Sequence, residues 1–357
     1  MLPFPHLTDR RPDGILNGKN IPCFYSFTAA HTGYKMPFMA TRIAFALSLL
    51  ALCSCFKKDI HIHTDLPREA VAELDAVVRG AVPRAHVFWT TGATASIAGK
   101  ETADIVAVMD PLWYETKKRA KQLLPYKSPA AAAFLEGMKD PDGAYAAMRM
   151  SILLVAYNPA MIKQSALPES WKDLLKPSFK NLVSMGNPLE SPATLAAISV
   201  LSEKFGWDFF SGLRRNGIVA AQTESEVLAR IESGERPVGI LLAEHIADAA
   251  MRRAPVRPIH PREGVIPVPG YVAIMSTTRH PEAAQKVYDW LFSTGAQNIL
   301  ARTTGQHSPN PRMVPHDALR TLKEMLPYFT GWTTTATPQL LDNAEHLRAK
   351  FSEIVMH

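Results

Sequence analysis

Beyond residue 55 this sequence has no cysteine; the three it carries are Cys23, Cys53 and Cys55. A chain that began at Cys55 would therefore hold no disulfide, no cysteine-ligated metal and no thiol nucleophile past its first residue. Long apolar runs are missing too. The run from Ile43 to Leu52 is broken only by Ser48 and stops after ten residues, whereas a helix needs about 20 to span a bilayer. Charged residues are 20% of the chain and the net charge is +6. The basic residues are scattered, and the densest group, Lys117-Lys118-Arg119 with Lys121, reads as one face of an exposed helix. Without a basic stripe interleaved with aromatics, nucleic acid is not an expected partner. Neither G-x-S-x-G, H-E-x-x-H nor a P-loop occurs, so no motif supports an enzyme. No catalytic residue, metal site or cofactor is assigned.

What is present begins with Met36–Lys58 (MPFMATRIAFALSLLALCSCFKK). Arg42 supplies a positive start, the run after it is a short apolar core, and small residues follow: the layout of a secretory signal. Its end, Leu-Cys-Ser-Cys, has the form of a bacterial lipoprotein signal, in which a small residue precedes the cysteine that is lipidated. Cys55 after Ser54 fits this form better than Cys53 after Leu52. The reading is a signal peptide over residues 36–54, lipidation at Cys55, and an exported, periplasmic domain held on a bacterial membrane. Residues 1–35 are rich in Pro, Gly and Asn with no sustained period. They are either a disordered extension or an untranslated stretch ahead of a start at Met36 or Met39.

After the signal, strands and helices alternate. Asp59–Asp65 reads as a strand, and a helix opens at Pro67 with Asp65 as candidate N-cap and Val71, Leu74, Val77 and Val78 on one face. His86–Thr90 and Ala103–Met109 are strands, the latter apolar as expected when both sheet faces are covered. Thr91–Thr94 opens a short helical segment, and Asp110-Pro111 starts another helix. Arg149–Tyr157, Leu182–Met185, Val219–Gln222 and Val238–Leu242 follow as strands, with helices after Ser191, Glu224 and Ala243. Val265–Met275 is extended, but Pro267 and Pro269 disfavour a central strand. Pro281–Phe292, Asp317–Leu326 and Pro338–Val355 are read as helices. The pattern implies an α/β, parallel, doubly wound sheet.

An ordered set of blocks now carries a family resemblance. HTDLPRE (63–69), FWTTGAT (88–94), ADIVAVMDPLW (103–113), LPESWKDLLKP (167–177), GWDFFSGLRRNGI (206–218) and PEAAQKVYDWLFSTGAQ (281–297) make the chain resemble periplasmic solute-binding proteins of ABC importers. The nearest group within them binds ferric iron, phosphonates or sugar phosphates. The resemblance implies a type 2 periplasmic binding protein fold: two doubly wound α/β lobes joined by two extended crossings, closing on a solute. It puts lobe 1 at residues 55–152 plus 267–357, with the C-terminal helices, and lobe 2 at 153–266. The crossings fall at Ser151–Tyr157 and Val265–Tyr271. The implied partners are a small-molecule solute and the permease and ATPase subunits in the membrane. The implied state is a monomer on a lipid anchor.

Ligands in such folds sit beyond the carboxyl ends of strands, where helix N-termini offer free amides. That places Thr90, Thr91, Gly92 and Thr94 of the loop after the second strand as candidate contacts, with ordinary Thr capping as the plain alternative. Ser191 and Thr194 have the same standing on the second lobe. His63 and Thr64 end the first strand, while His61 is read as structural. Asp110 is either a contact or a cap. Glu244 and His245 follow a strand and suit an amine, sugar hydroxyls or a phosphate; Arg312, in a loop, either reaches an anion or is a surface residue, the second being the plainer reading. Ferric binders of this group carry a tyrosine pair in the region of Glu244, but this sequence has no tyrosine between Tyr157 and Tyr271. The function expected is capture of a small polar or anionic solute, such as a sugar phosphate or phosphonate. The alternatives are a ferric-iron binder of the same family and a non-transport surface interaction protein.

Overall fold

The computed structural model describes residues 57–92, 103–329 and 336–357, all within one unit, Cys55–His357. The signal segment with Cys55, and Thr94 with the helix expected after Thr91, lie outside the described residues. Ten strands form one sheet: β1 (Lys58–Thr64), β2 (Ala85–Thr91), β3 (Ile105–Val108), β4 (Leu123–Leu124), β5 (Ala146–Tyr157), β6 (Val183–Gly186), β7 (Val219–Ala221), β8 (Val238–Leu242), β9 (Arg257–Ile259) and β10 (Ile266–Met275). Their order is β2-β1-β3-β10-β5-β8-β6-β7, with β4 beside β10 and β9 beside β5. The helices are α1 (Arg68–Ala81), α2 (Pro111–Arg119), α3 (Pro192–Phe205), α4 (Trp207–Arg215), α5 (Glu224–Ser233), α6 (Ala243–Met251), α7 (Pro281–Leu291), α8 (Thr294–Thr304), α9 (Leu322–Met325) and α10 (Thr337–Phe351).

Each half of the sheet is parallel at its outside: β1 with β2 and β3, and β6 with β7 and β8. Between them run β5 and β10, antiparallel to each other and to β8 and β3 respectively. The sheet is therefore mixed, not uniformly parallel. Both faces are covered. Along β3, Ile105 and Ala107 join the core under α1, α7 and α8. Val106 and Val108 point to the opposite core, shared with Tyr114 of α2. This alternation explains why the strand reads as an unbroken apolar run.

Several elements differ from the sequence reading, and the helix expected over Asp317–Leu326 is confined to Leu322–Met325. Strand β10 lies in the middle of the sheet despite its prolines. Pro267 and Pro269 pair with Ile152 and Met150 on one side, while β3 joins the other side only from Tyr271 onward. Proline is tolerated in a strand where its nitrogen faces an unpaired edge. Asp65 does not cap α1, whose N-cap is Pro67 with no side-chain bond; its carboxylate is used elsewhere. Helix α10, expected with the first lobe, touches both: it packs Leu340, Ala344, Leu347 and Phe351 into the core that holds Leu195 and Phe210, and its Asp342 pairs with Arg119 of α2 at 2.6 Å.

Tyr114 ties this frame together beneath the strand ends. Its hydroxyl accepts from Val108 N at 2.8 Å and donates to Tyr271 O at 2.6 Å. Burial holds its phenol well above the usual range. Tyr114→Phe should remove the hydroxyl that the buried Val108 N–H donates to and lower the unfolding free energy by about 1–3 kcal/mol. Urea titration of the two proteins measures the loss; equal midpoints would contradict the role given to this hydroxyl.

Candidate functional site

The carboxyl ends of β1 and β3 meet those of β6, β7 and β8 across the two central strands. At their centre is Arg149 of β5, 3% exposed. It reaches its place because residue 270, its partner across the ladder, is glycine. A Cβ there would stand 2.7 Å from the Arg149 Cγ and 2.9 Å from its Nε. The guanidinium pairs with Asp65, which directly follows β1. It also donates to Gln306 Oε1 at 3.1 Å. Asp65 in turn accepts from Met109 N at 2.8 Å, so one carboxylate links the ends of β1 and β3 to the arginine.

Gln306 is the second hub. It follows α8 through Gly305, whose φ of +68° and approach to Ala247, 2.6 Å from the position a Cβ would take, bring the turn against α6. Its Nε2 donates to Glu244 Oε1 at 3.1 Å and to Ser151 Oγ at 3.2 Å. Ser151 itself donates to Glu244. A chain of polar side chains thus runs from Asp65 through Arg149 and Gln306 to Glu244 of α6. Two buried atoms in it, Arg149 Nε and Glu244 Oε2, have no hydrogen-bond partner among the described residues. Buried polar atoms of this kind are uncommon and call for an explanation.

The residues singled out in the sequence divide into groups. Glu244 belongs to the cluster just described, with half-buried His245 beside it. Thr90 and Thr91 are exposed at the end of β2, and Gly92 is half-buried, its N–H donating to Thr64 O at 2.9 Å. His63 is buried, with Nε2 3.2 Å from Gly92 O. The hydroxyl of Thr64 is taken up internally: it donates to Ala107 O at 2.7 Å and accepts from Leu66 N at 3.2 Å. Asp110 caps α2, accepting from Trp113 N at 3.2 Å. Ser191 caps α3, accepting from Thr194 N at 3.1 Å. The buried Thr194 hydroxyl donates to Glu224, the first residue of α5. Arg312 is exposed.

Arg149, Ser151, Gln306 and Glu224 were not anticipated. The signal for the first two was present: in AAMRMSILLVAY, Arg149 and Ser151 are the only polar side chains before the terminal tyrosine, two apart and hence on one face. Gln306 and Glu224 carry no comparable mark.

Tyr114, Tyr145, Tyr271 and Tyr288 are buried, and burial raises the phenols of Tyr114, Tyr145 and Tyr288. Among the described residues no group of three or more His, Cys, Asp or Glu is arranged to hold a metal, and no helix is long and apolar enough to cross a membrane.

Beside the cluster, His307 pairs its backbone with Met150 and its Nε2 lies 2.9 Å from Arg320 O. Burial pushes His307 down. It also pushes His260 down from 6.5 to about 4, aided by the charges of Arg320 and His307. The unfolded chain therefore binds these protons more readily than the native one. Stability present above pH 6.5 should be lost as pH falls through about 4. Melting temperatures recorded from pH 7 downward test this: His260→Asn should flatten part of the decline, and a profile level across this range would refute it.

A mixed sheet in two halves, joined by two central antiparallel strands with a polar cluster at the joint, defines the class of two-lobed periplasmic binding folds. The sequence model for the bacterial extracellular solute-binding protein matches residues 100–335, and the chain belongs to that family. Among curated relatives, the probable ABC transporter periplasmic-binding protein y4fP of Sinorhizobium fredii is 24% identical over 57% of this chain and 60% of its own length. The phosphoglycerate transport regulatory protein PgtC of Salmonella typhimurium is 24% identical over 60% of this chain and 55% of its own. The chain thus spans little more than half the length of these relatives. Among solved structures, iron-bound HitA from Pseudomonas aeruginosa superposes with a TM-score of 0.71 at 16% identity, over 82% of this chain and 99% of that one. AfuA from Actinobacillus pleuropneumoniae, with fructose-6-phosphate bound, gives 0.70 at 19% identity, over 84% and 99%. At such identities the likeness shows the fold.

Proposed function

We propose that this chain is the substrate-binding component of an ABC importer, exported and lipid-anchored at Cys55, which captures a small polar or anionic solute between its two lobes. The observation that carries the reading is Arg149: a buried guanidinium on a strand that joins the lobes, linked to Asp65 of one and through Gln306 to Glu244 of the other, with Nε unpartnered. A cation held there meets an anionic group at the joint. Thr90, Thr91, Gly92 and Thr94 contribute hydroxyls and amides from the first lobe, with His63 and Asp110 beside them. From the second lobe His245 stands beside Glu244 in sequence, while Ser191 and Thr194, whose hydroxyls are committed to the α3 cap and to Glu224, shape the start of that helix. Thr64, whose hydroxyl is committed internally, shapes the loop. Contacts from both lobes make the closed state the tighter binder, and a membrane permease with its ATPase subunits receives the solute. A sugar phosphate or phosphonate suits this chemistry. Ferric iron suits it less, because the sequence has no tyrosine between Tyr157 and Tyr271, and Tyr114, Tyr145, Tyr271 and Tyr288 are buried.

The test is to titrate the purified, monomeric chain with fructose-6-phosphate, 2-aminoethylphosphonate, inorganic phosphate and ferric citrate. The expected response is a smaller radius of gyration, and stabilisation of about 2.7 kcal/mol at a hundredfold excess over Kd. A chain that neither compacts nor gains stability with any of them would refute the proposal.

A further inference from the structure

The second lobe presents carboxylates where an anion-binding lobe presents bare amides. Glu224 is the first residue of α5 and Glu244 the second of α6, so each negative charge lies at the positive end of a helix. Glu224 is engaged by the Thr194 hydroxyl. Glu244 uses Oε1 for both Ser151 and Gln306, leaving Oε2 buried without a partner among the described residues. Arg149, 3% exposed, has its Nε in the same condition. One side-chain amide joins the two, since Gln306 accepts from Arg149 at 3.1 Å and donates to Glu244 at 3.1 Å. The joint therefore holds a fixed cationic donor and a fixed anionic acceptor one residue apart.

A carboxylate oxygen is satisfied by an O–H or N–H donor or by a metal cation, and among the described residues no group of three or more His, Cys, Asp or Glu is arranged to hold a metal. A plain anion beside it is repelled and leaves it unpaired. We infer that Glu244 selects for bipolar solutes: those carrying a hydroxyl or ammonium group close to the anionic group that meets Arg149. This rests on the solute-capture reading and narrows it. Simple anions are rejected, while hydroxylated or aminated phosphates and phosphonates are accepted.

Calorimetry on the full chain with matched probes tests the inference. Fructose-6-phosphate is set against inorganic phosphate, and 2-aminoethylphosphonate against ethylphosphonate. In at least one pair the donor-bearing member should bind at least about 100-fold tighter, as in sites that reject an analogue lacking a hydrogen-bonding group. Glu244→Gln should cut that ratio below roughly tenfold. Ser151 and Gln306 both demand the oxygen, so the new amide would turn its NH2 toward the ligand and set donor against donor. Members of each pair that bind equally to the natural protein would overturn the inference, whatever the variant's folding, and leave solute capture standing. A ratio that survives in a folded Glu244→Gln protein would do the same. No binding by any probe would overturn capture and selection together.

Discussion

Arg149→Ala is expected to abolish measurable capture of anionic solutes while leaving a folded, less stable protein. Truncating one member of a buried, hydrogen-bonded charge pair costs about 2–5 kcal/mol, which is roughly 30- to 3,000-fold in affinity. The guanidinium is the one cation in the Asp65–Gln306–Glu244 chain. Its loss turns the joint from bipolar to acidic, so the remaining carboxylates repel the ligand that Arg149 attracted. Arg149→Lys keeps the charge but not the fork that serves Asp65 and Gln306 together, and should recover only part of the affinity. Calorimetry with fructose-6-phosphate, alongside a melting curve for each variant, separates binding from folding. A folded Arg149→Ala protein with unchanged affinity would remove Arg149 from the site.

Cys55→Ala is expected to move the protein from the membrane fraction to the soluble fraction without altering solute affinity. The apolar run before Cys55 is too short to span, so stable attachment of the exported chain would rest on acyl chains, each buried CH2 contributing about 0.8 kcal/mol. Fractionation of cells expressing the natural chain, Cys55→Ala and Cys53→Ala measures this. Release by Cys53→Ala instead would move the anchor to that residue. Retention of Cys55→Ala at the membrane would end the lipoprotein reading.

Much of the architecture was legible because it rests on local chemistry. Apolar stretches such as ADIVAVM and VGILLA announce strands covered on both faces, and Ser191-Pro192 and Asp110-Pro111 announce helix starts. The order of blocks carried the fold. What escaped was set by tertiary contact. Pro267 and Pro269 argued against a central strand, because nothing local reveals that one edge of β10 stays unpaired until Tyr271. Asp65 had the look of a cap, yet serves an arginine 84 positions away. The polar cluster around Arg149 was half legible. Glu244 stands out because it follows a strand, whereas Gln306 sits in an unremarkable T-G-Q-H turn. It matters only because Gly305 lets the chain approach α6.

The prolines of β10 also bear on what the unpaired side of a buried strand must satisfy. Where β3 no longer covers it, β10 remains buried, and an ordinary residue there would bring an amide donor that needs a partner. Pro267 and Pro269 are two apart and so face the same way, and neither has an N–H to give. At both positions the unpaired side of the central strand is thereby left with no buried amide donor in need of a partner.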